Sequence, residues 1–346
     1  MKKFLALLLT LVMAISLVGC GGKTDEPAAP EAGAETGAPT FEKQTWKFAC
    51  SATETSTWMQ AAKFFGDKVS EATGGAVTVE YYAADQLTAG NQKDGIQALM
   101  DGTTELSMHS NLIYSGFDPR FNVVSLPFLF ASTEDADAKL DGAGGDALKA
   151  VLKEKGLHCM GIAENGFRHI TNSKHAIEAL ADMKGLKIRV AGSALLKDAF
   201  TAWGCDPAGA NWSEVFTALQ TGTYDGQENP LPTADAASIQ EVQKYVTYWT
   251  GTYDCLFFCM NQEKYDSLTP ELQAIVDDCG QQAVEYQRQI NREQDQVILD
   301  KWAAAGVTVS KLTPEAAAEF KAATDPLYEK YAAELTPELI SAFTGK

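Results

Sequence analysis

Basic residues are scarce in this chain: 28 Lys and Arg stand against 46 Asp and Glu, a formal charge of −18 over 346 residues. That deficit excludes a nucleic-acid reader, whose binding depends on Lys and Arg neutralising phosphates. Histidine is scarcer still, and His109, His158, His169 and His175 form neither H-E-x-x-H nor another metal-ligand spacing. No G-x-S-x-G nucleophile elbow occurs, and Gly142-Ala-Gly-Gly145 lacks Walker or Rossmann spacing, so no metal, nucleotide or other cofactor is expected. Catalysis has no positive support, although a site dispersed along the chain stays open. Beyond the first residues no segment is apolar enough to span a bilayer, so any transport pathway must belong to another protein.

The first residues say where the chain works. Met1-Lys2-Lys3 is a basic n-region, Phe4 to Ile15 is an apolar h-region, and Leu17-Val18-Gly19-Cys20 has the small-residue pattern of a lipoprotein cleavage site. The apolar run is too short for a transmembrane anchor. We therefore expect residues 1–20 to be a signal peptide ending at a lipidated Cys20, with the mature protein held at the outer face of the cytoplasmic membrane. Acyl burial contributes about 0.8 kcal/mol per methylene, so two or three chains make such anchoring essentially permanent. Residues 21–45 are rich in Gly, Ala, Pro, Glu and Thr, too poor in apolar surface to offset the entropy of ordering, and read as a tether. Six further cysteines, Cys50, Cys159, Cys205, Cys255, Cys259 and Cys279, contain no C-x-x-C. Export permits disulfides, but most lie in apolar text and read as buried free thiols.

The remaining 300 or so residues alternate strand and helix patterns, which predicts an α/β architecture with sheets covered by helices. The expected division is 46–165 plus about 253–290 as a first lobe, and 166–252 plus about 291–312 as a second. Residues 313–346 are expected to form C-terminal helices packing on the lobes. Thr269-Pro270-Glu271 is a strong helix start, and no Pro follows before Gly306, which allows a helix of about 50 Å at 1.5 Å per residue unless Gly280 kinks it.

The most informative stretch is Lys184 to Pro230. Leu186-Lys187-Ile188-Arg189-Val190 alternates with period two, which puts Arg189 on the face opposite Leu186, Ile188 and Val190. A guanidinium on a rigid strand suits a carboxylate, since its planar fork makes two parallel charge-assisted hydrogen bonds. Two readings stay open on the residues alone: a ligand contact or an internal salt bridge. Helices follow at Ala194 to Trp203 and Asn211 to Gln220, broken by Gly204-Cys205-Asp206-Pro207 and stopped at Gly222.

Met183-Lys-Gly-Leu-Lys-Ile-Arg-Val190, Ser213-Glu-Val-Phe-Thr-Ala-Leu-Gln-Thr-Gly222, Asp225-Gly-Gln-Glu-Asn-Pro230 and, upstream, Gly166-Phe-Arg-His-Ile-Thr-Asn-Ser173 closely resemble the solute-binding proteins of TRAP transporters, the DctP type. The resemblance runs from about Trp46 to the C-terminus. It implies a two-lobed periplasmic-binding-protein-like fold with a long helix spanning both lobes, and a non-enzymatic function. That function is capture of a small organic acid, of the dicarboxylate, uronate or aldonate type, for delivery to the TRAP membrane permease subunits.

The resemblance also implies that Arg189 holds the ligand carboxylate, that Asn229 orients it, that Arg168 is the second arginine, and that Trp212 is the aromatic wall. Ser51 and Ser110 fall at strand C-termini, where α/β sheets place ligands, and Glu54, Gln86 and His109 come from the same loops. Hydroxyls stand at Ser51 and Ser110 where acylated-amino-sugar binders carry acidic and amide side chains, which argues against sialic acid. Three alternatives are a binding protein of an ATP-driven importer, a surface hydrolase of acidic sugars, and an adhesion or sensor module; the hydrolase would need paired carboxylates.

Overall fold

Period-two runs of apolar and aromatic residues become strands in a computed structural model of the chain, which describes residues 40–345. The expected signal peptide, Cys20 and the expected tether up to residue 39 lie outside the described residues. In chain order the strands are β1 (Gln44–Cys50), β2 (Val77–Tyr82), β3 (Leu106–Ser110), β4 (Leu157–Phe167), β5 (His169–Asn172) and β6 (Lys187–Val190). They continue as β7 (Asp206–Gly209), β8 (Gly226–Asn229), β9 (Tyr245–Tyr248), β10 (Tyr253–Asn261) and β11 (Thr308–Lys311). The first strand begins at Gln44, so the ordered fold starts slightly before the expected end of the tether at residue 45.

Two sheets result, ordered β2-β1-β3-β10-β4 and β11-β9-β5-β8-β6-β7. Strands β1, β2 and β3 are parallel, whereas β10 runs antiparallel to both β3 and β4. In the second sheet β5 is antiparallel to its neighbours β8 and β9. Every residue of β10 is buried because both faces of its sheet are covered. Leu256, Phe258 and Met260 join Trp46, Phe48 and Phe65 in a core beneath helices Thr57–Ala72 and Pro270–Arg292. Cys255, Phe257 and Cys259 point the other way, toward Tyr114 and Phe121.

The chain passes between the sheets at three places. Only Arg168 separates β4 from β5, residues 249–252 link β9 to β10, and the helical run from Pro270 breaks at Glu293 and Gln294 before resuming as Asp295–Ala304. The long helix is therefore present as a 23-residue rod, about 35 Å at 1.5 Å per residue, with a separate continuation in the second lobe. The break falls at the passage between lobes, where Arg292 is pinned to Glu164 and Asp137, and not at Gly280. Helix Pro314–Leu335 ties the lobes together: Tyr328 donates to the Pro127 carbonyl of one, and Phe320 accepts from the Trp203 indole of the other, both at 2.9 Å.

One strand departs from expectation. Asp206-Pro207 reads as a helix breaker, yet Asp206–Gly209 pairs with β6 as the outermost strand. A proline there removes no ladder hydrogen bond that an inner strand would need.

Gly280 has a packing reason to be small, since a Cβ there would lie 2.5 Å from the Met160 Cβ on β4. Gly280→Ala is expected to lower unfolding stability by about 1–3 kcal/mol through overpacking, against the gain of about 1 kcal/mol that helix propensity alone gives. Urea denaturation checks the sign.

Candidate functional site

The strands end at a cleft where the two lobes meet. It is lined from the first lobe by Ser51, Trp58, Gln92, Ser110 and Asp254, and from the second by Arg168, Arg189, Trp212, Asn229 and Thr233. The lobes touch across it. The Trp212 amide donates to Gln92 Oε1 at 3.1 Å, Ser213 Oγ to the Gly90 carbonyl at 3.1 Å, and Thr233 Oγ1 to Asn165 Oδ1 at 2.6 Å. Gly90 is required at this seam, because a Cβ would come within 2.5 Å of Ser213 Oγ and the backbone has φ +84°.

Arg189 is 1% exposed on β6, yet no described carboxylate lies within ion-pairing distance. Its Nε and one terminal nitrogen share the Ala210 carbonyl at 3.0 and 2.5 Å, and its Cζ lies 5.5 Å from the centre of the Trp212 ring. Burial pushes its pKa down to about 10, with Glu228 partly restoring it through space. Its other N–H groups make no hydrogen bond within the described protein, and the residue lines the cleft.

Arg168 behaves differently. Its Nε bonds Glu228, one terminal nitrogen bonds Asp254, and the other reaches the Glu228 carbonyl oxygen and carboxylate at 2.8 and 2.9 Å. Burial opposes its charge, but the two carboxylates outweigh burial and hold its pKa above the ordinary value. Asp254 also accepts from Ser110 Oγ and Asn165 Nδ2, each at 2.7 Å, and Glu228 accepts from the Ala191 amide at 3.1 Å. The expected second ligand arginine is thus a charge-compensated strut with a single N–H left for the cleft. The two guanidiniums and two carboxylates sum to zero.

Two first-lobe groups carry a different signal. Ser51 Oγ and Trp58 Nε1 are buried, line the cleft and have no hydrogen-bond partner within the described protein. Such groups are exceptions among buried polar atoms. Asn229 lines the cleft with its Nδ2 on Gln227 Oε1 at 2.7 Å, and Ser110 lines it while capping helix Asn111–Tyr114. Trp212 forms the wall under Arg189.

Glu54 and Gln86 do not reach the cleft. Glu54 is exposed and pairs with Lys63, and Gln86 is exposed on a short turn; loops after strand ends carry polar residues for solvation as well as for ligands. His109 is buried against Asp85 at 2.8 Å and is also outside it. Trp58, Gln92, Asn165, Thr233 and Asp254 were not anticipated. Asp254 was detectable, as a lone acid in the otherwise uncharged strand Tyr253–Asn261, and so was Glu228, beside Asn229 in a strand with all four residues buried. No described cluster of three or more His, Cys, Asp or Glu could hold a metal ion.

Residues 48–335 match the family of bacterial extracellular solute-binding proteins, family 7, known as DctP. The 2,3-diketo-L-gulonate-binding periplasmic protein YiaO of Escherichia coli (strain K12) is 36% identical over 77% of this chain and 80% of its own length. The sugar acid binding protein DctPAm from Advenella mimigardefordensis, solved with galactonate, superposes with a TM-score of 0.84 at 29% identity, covering 88% of this chain and 97% of that one. A TRAP periplasmic solute binding protein from Sulfurospirillum deleyianum, solved with succinate, gives 0.81 at 28% identity, with 88% and 99% coverage. The chain belongs to the DctP family of TRAP solute-binding proteins. These are extracytoplasmic proteins that bind small acids and are not enzymes, which sets aside the hydrolase and ATP-driven-importer alternatives.

The two arginines should separate in the ligand-free protein. Arg168→Met strands two buried carboxylates and is expected to cost about 3–5 kcal/mol, whereas Arg189→Met breaks no ion pair and leaves stability unchanged or higher. Thermal unfolding of both variants beside the parent checks the contrast.

Proposed function

We propose that the chain is a lipid-anchored TRAP binding protein that captures a hydroxylated monocarboxylate of the sugar-acid class and delivers it to its membrane permease. One observation carries the reading: Arg189 is a buried guanidinium without a carboxylate, facing a cleft between two lobes. A ligand carboxylate takes its free N–H groups over Trp212 and is oriented by Asn229. Arg168 keeps Glu228 and Asp254 and offers its one spare N–H.

Charge and hydrogen-bond inventories narrow the ligand. The cleft offers one cation without an ion pair, so a second carboxylate would meet no second one. It does offer neutral partners, the Ser51 hydroxyl and the Trp58 indole N–H, that suit hydroxyl or carbonyl oxygens further along the ligand. The ligands named for the Escherichia coli and Advenella relatives, 2,3-diketo-L-gulonate and galactonate, are hydroxylated monoacids and support this reading. Succinate, bound by the Sulfurospirillum neighbour, favours the dicarboxylate as the second reading.

Binding closes the lobes by a hinge at the three crossings. Open, Arg189 is hydrated; closed, the ligand anion compensates it. Empty closure is disfavoured, because an unpaired buried charge costs about 3–5 kcal/mol. Release at the permease reverses this sequence, and no nucleotide chemistry occurs in the chain.

In a thermal-shift panel of organic acids, galactonate, galacturonate and 2,3-diketogulonate are expected to outrank succinate. A ligand at 100 times its Kd stabilises by about 2.7 kcal/mol. Arg189→Ala should erase the shift without unfolding the protein, and a panel led by dicarboxylates would overturn the monoacid assignment. Separately, Cys20→Ala should release the protein from membranes and abolish labelling by radioactive palmitate in the producing cell.

A further inference from the structure

The cysteines outside the cleft are not equivalent. Cys259 on β10 and Cys159 on β4 are direct partners in the antiparallel register, and Ser107 on β3 faces Cys259 from the other side. The three residues form one row across the first sheet. Opposed residues in an antiparallel ladder have Cα atoms about 4.5–5.5 Å apart with side chains on one face. A disulfide spans Cα separations of about 4.4–6.8 Å. Of the other cysteines, Cys50 is opposite Met108 and Cys255 opposite Glu164, Cys279 lies on a helix, and Cys205 just precedes β7.

We propose that Cys159 and Cys259 are a thiol–disulfide pair, closed across β4 and β10 by a low-molecular-weight disulfide in the extracytoplasmic space. Cys159 is half-buried, whereas Cys259 is fully buried, so their roles differ. Cys159 attacks one sulfur of the reagent; that S–S bond breaks, and the first small thiol leaves with the Cys159 proton. Cys259 then attacks Cys159 Sγ in the mixed disulfide, and the second small thiol leaves with the Cys259 proton. Two protein thiols are oxidised by two electrons and one reagent disulfide is reduced to two thiols, so nothing else is consumed.

The surroundings suit both steps. The neighbouring Cys259 thiol, and more weakly the Lys149 ammonium on helix Ala143–Glu154, lower the Cys159 pKa against its burial, while burial raises that of Cys259. Beside Cys259 lie two buried hydroxyls, Tyr114 Oη and Ser107 Oγ, and the Tyr114 hydroxyl opposes the rise in the Cys259 pKa. They are placed to donate to its sulfur as it becomes the attacking thiolate. The ladder is also irregular here, with a register shift between Phe258 and Cys259 that leaves Met160 unpaired and gives the strands local freedom to adjust.

The test uses the purified full chain, kept folded and incubated with oxidised glutathione, then alkylated in denaturant and mapped by peptide mass spectrometry. The expected product is a Cys159–Cys259 linked peptide, with Cys50, Cys205, Cys255 and Cys279 still alkylated, and with reversal by reduced glutathione. Cys259→Ala should stop the reaction at glutathione on Cys159, and Cys159→Ala should leave Cys259 unmodified. Circular dichroism confirms that each variant is folded. Six alkylated thiols in the folded part after oxidation, a cross-link through Cys255, or an unmodified Cys159 in folded Cys259→Ala would each overturn the proposal. None of these results bears on the cleft, whose residues the pair does not touch.

Discussion

Arg189 carries its charge where water scarcely reaches, and the rest of the cleft is arranged around that fact. A second guanidinium, Arg168, sits in the same cavity and is treated in the opposite way, with two carboxylates closing on it. The asymmetry separates two jobs that the residues alone leave merged. Arg168 fastens β5 to β8 and β10 where the chain crosses between lobes, and its partners in turn hold Ser110, Asn165 and the Ala191 amide. Arg189 is held in place by one carbonyl and one indole ring, neither of which neutralises it. Among the charged groups lining the cavity it alone has no ion pair.

That constraint connects to motion through the crossings. Each lobe has its own sheet and its own covering helices, and among the described residues the chain joins them at Arg168, at residues 249–252 and at the helical break after Arg292, with helix Pro314–Leu335 laid across both. Rigid lobes on a short hinge allow a cleft to open while its walls keep their shape. Direct bonds at the seam, such as the Trp212 amide to Gln92, are modest individually and give closure its register. On the proposed reading, closure is completed by the anion that neutralises Arg189, which couples occupancy to shape.

Much of this was legible in the residues. Strand-helix alternation gave the α/β class, and the Thr269-Pro270-Glu271 signal falls where helix Pro270–Arg292 starts. Family-like motifs led to Arg189, Asn229 and Trp212, all of which line the cleft. Local patterns fail where long-range contacts decide. Arg168 and Arg189 look alike on their strands, and only the arrival of Glu228 and Asp254 from 60 and 86 residues away distinguishes them. Trp58 and Gln92 sit on helices whose faces are fixed by packing, so no motif marks them. Glu54 and Gln86 show the converse, since a polar residue after a strand is as readily turned to solvent as to a ligand. Gly280 reads as a kink but serves close approach to Met160, a contact invisible until the sheet is assembled.

The most direct measurement is a crystal structure of the protein with the acid that stabilises it most. The account predicts a ligand carboxylate bidentate on Arg189 above Trp212, with Arg168 still bound to Glu228 and Asp254. A carboxylate that displaces Glu228 from Arg168 while Arg189 turns to a protein acid would contradict it.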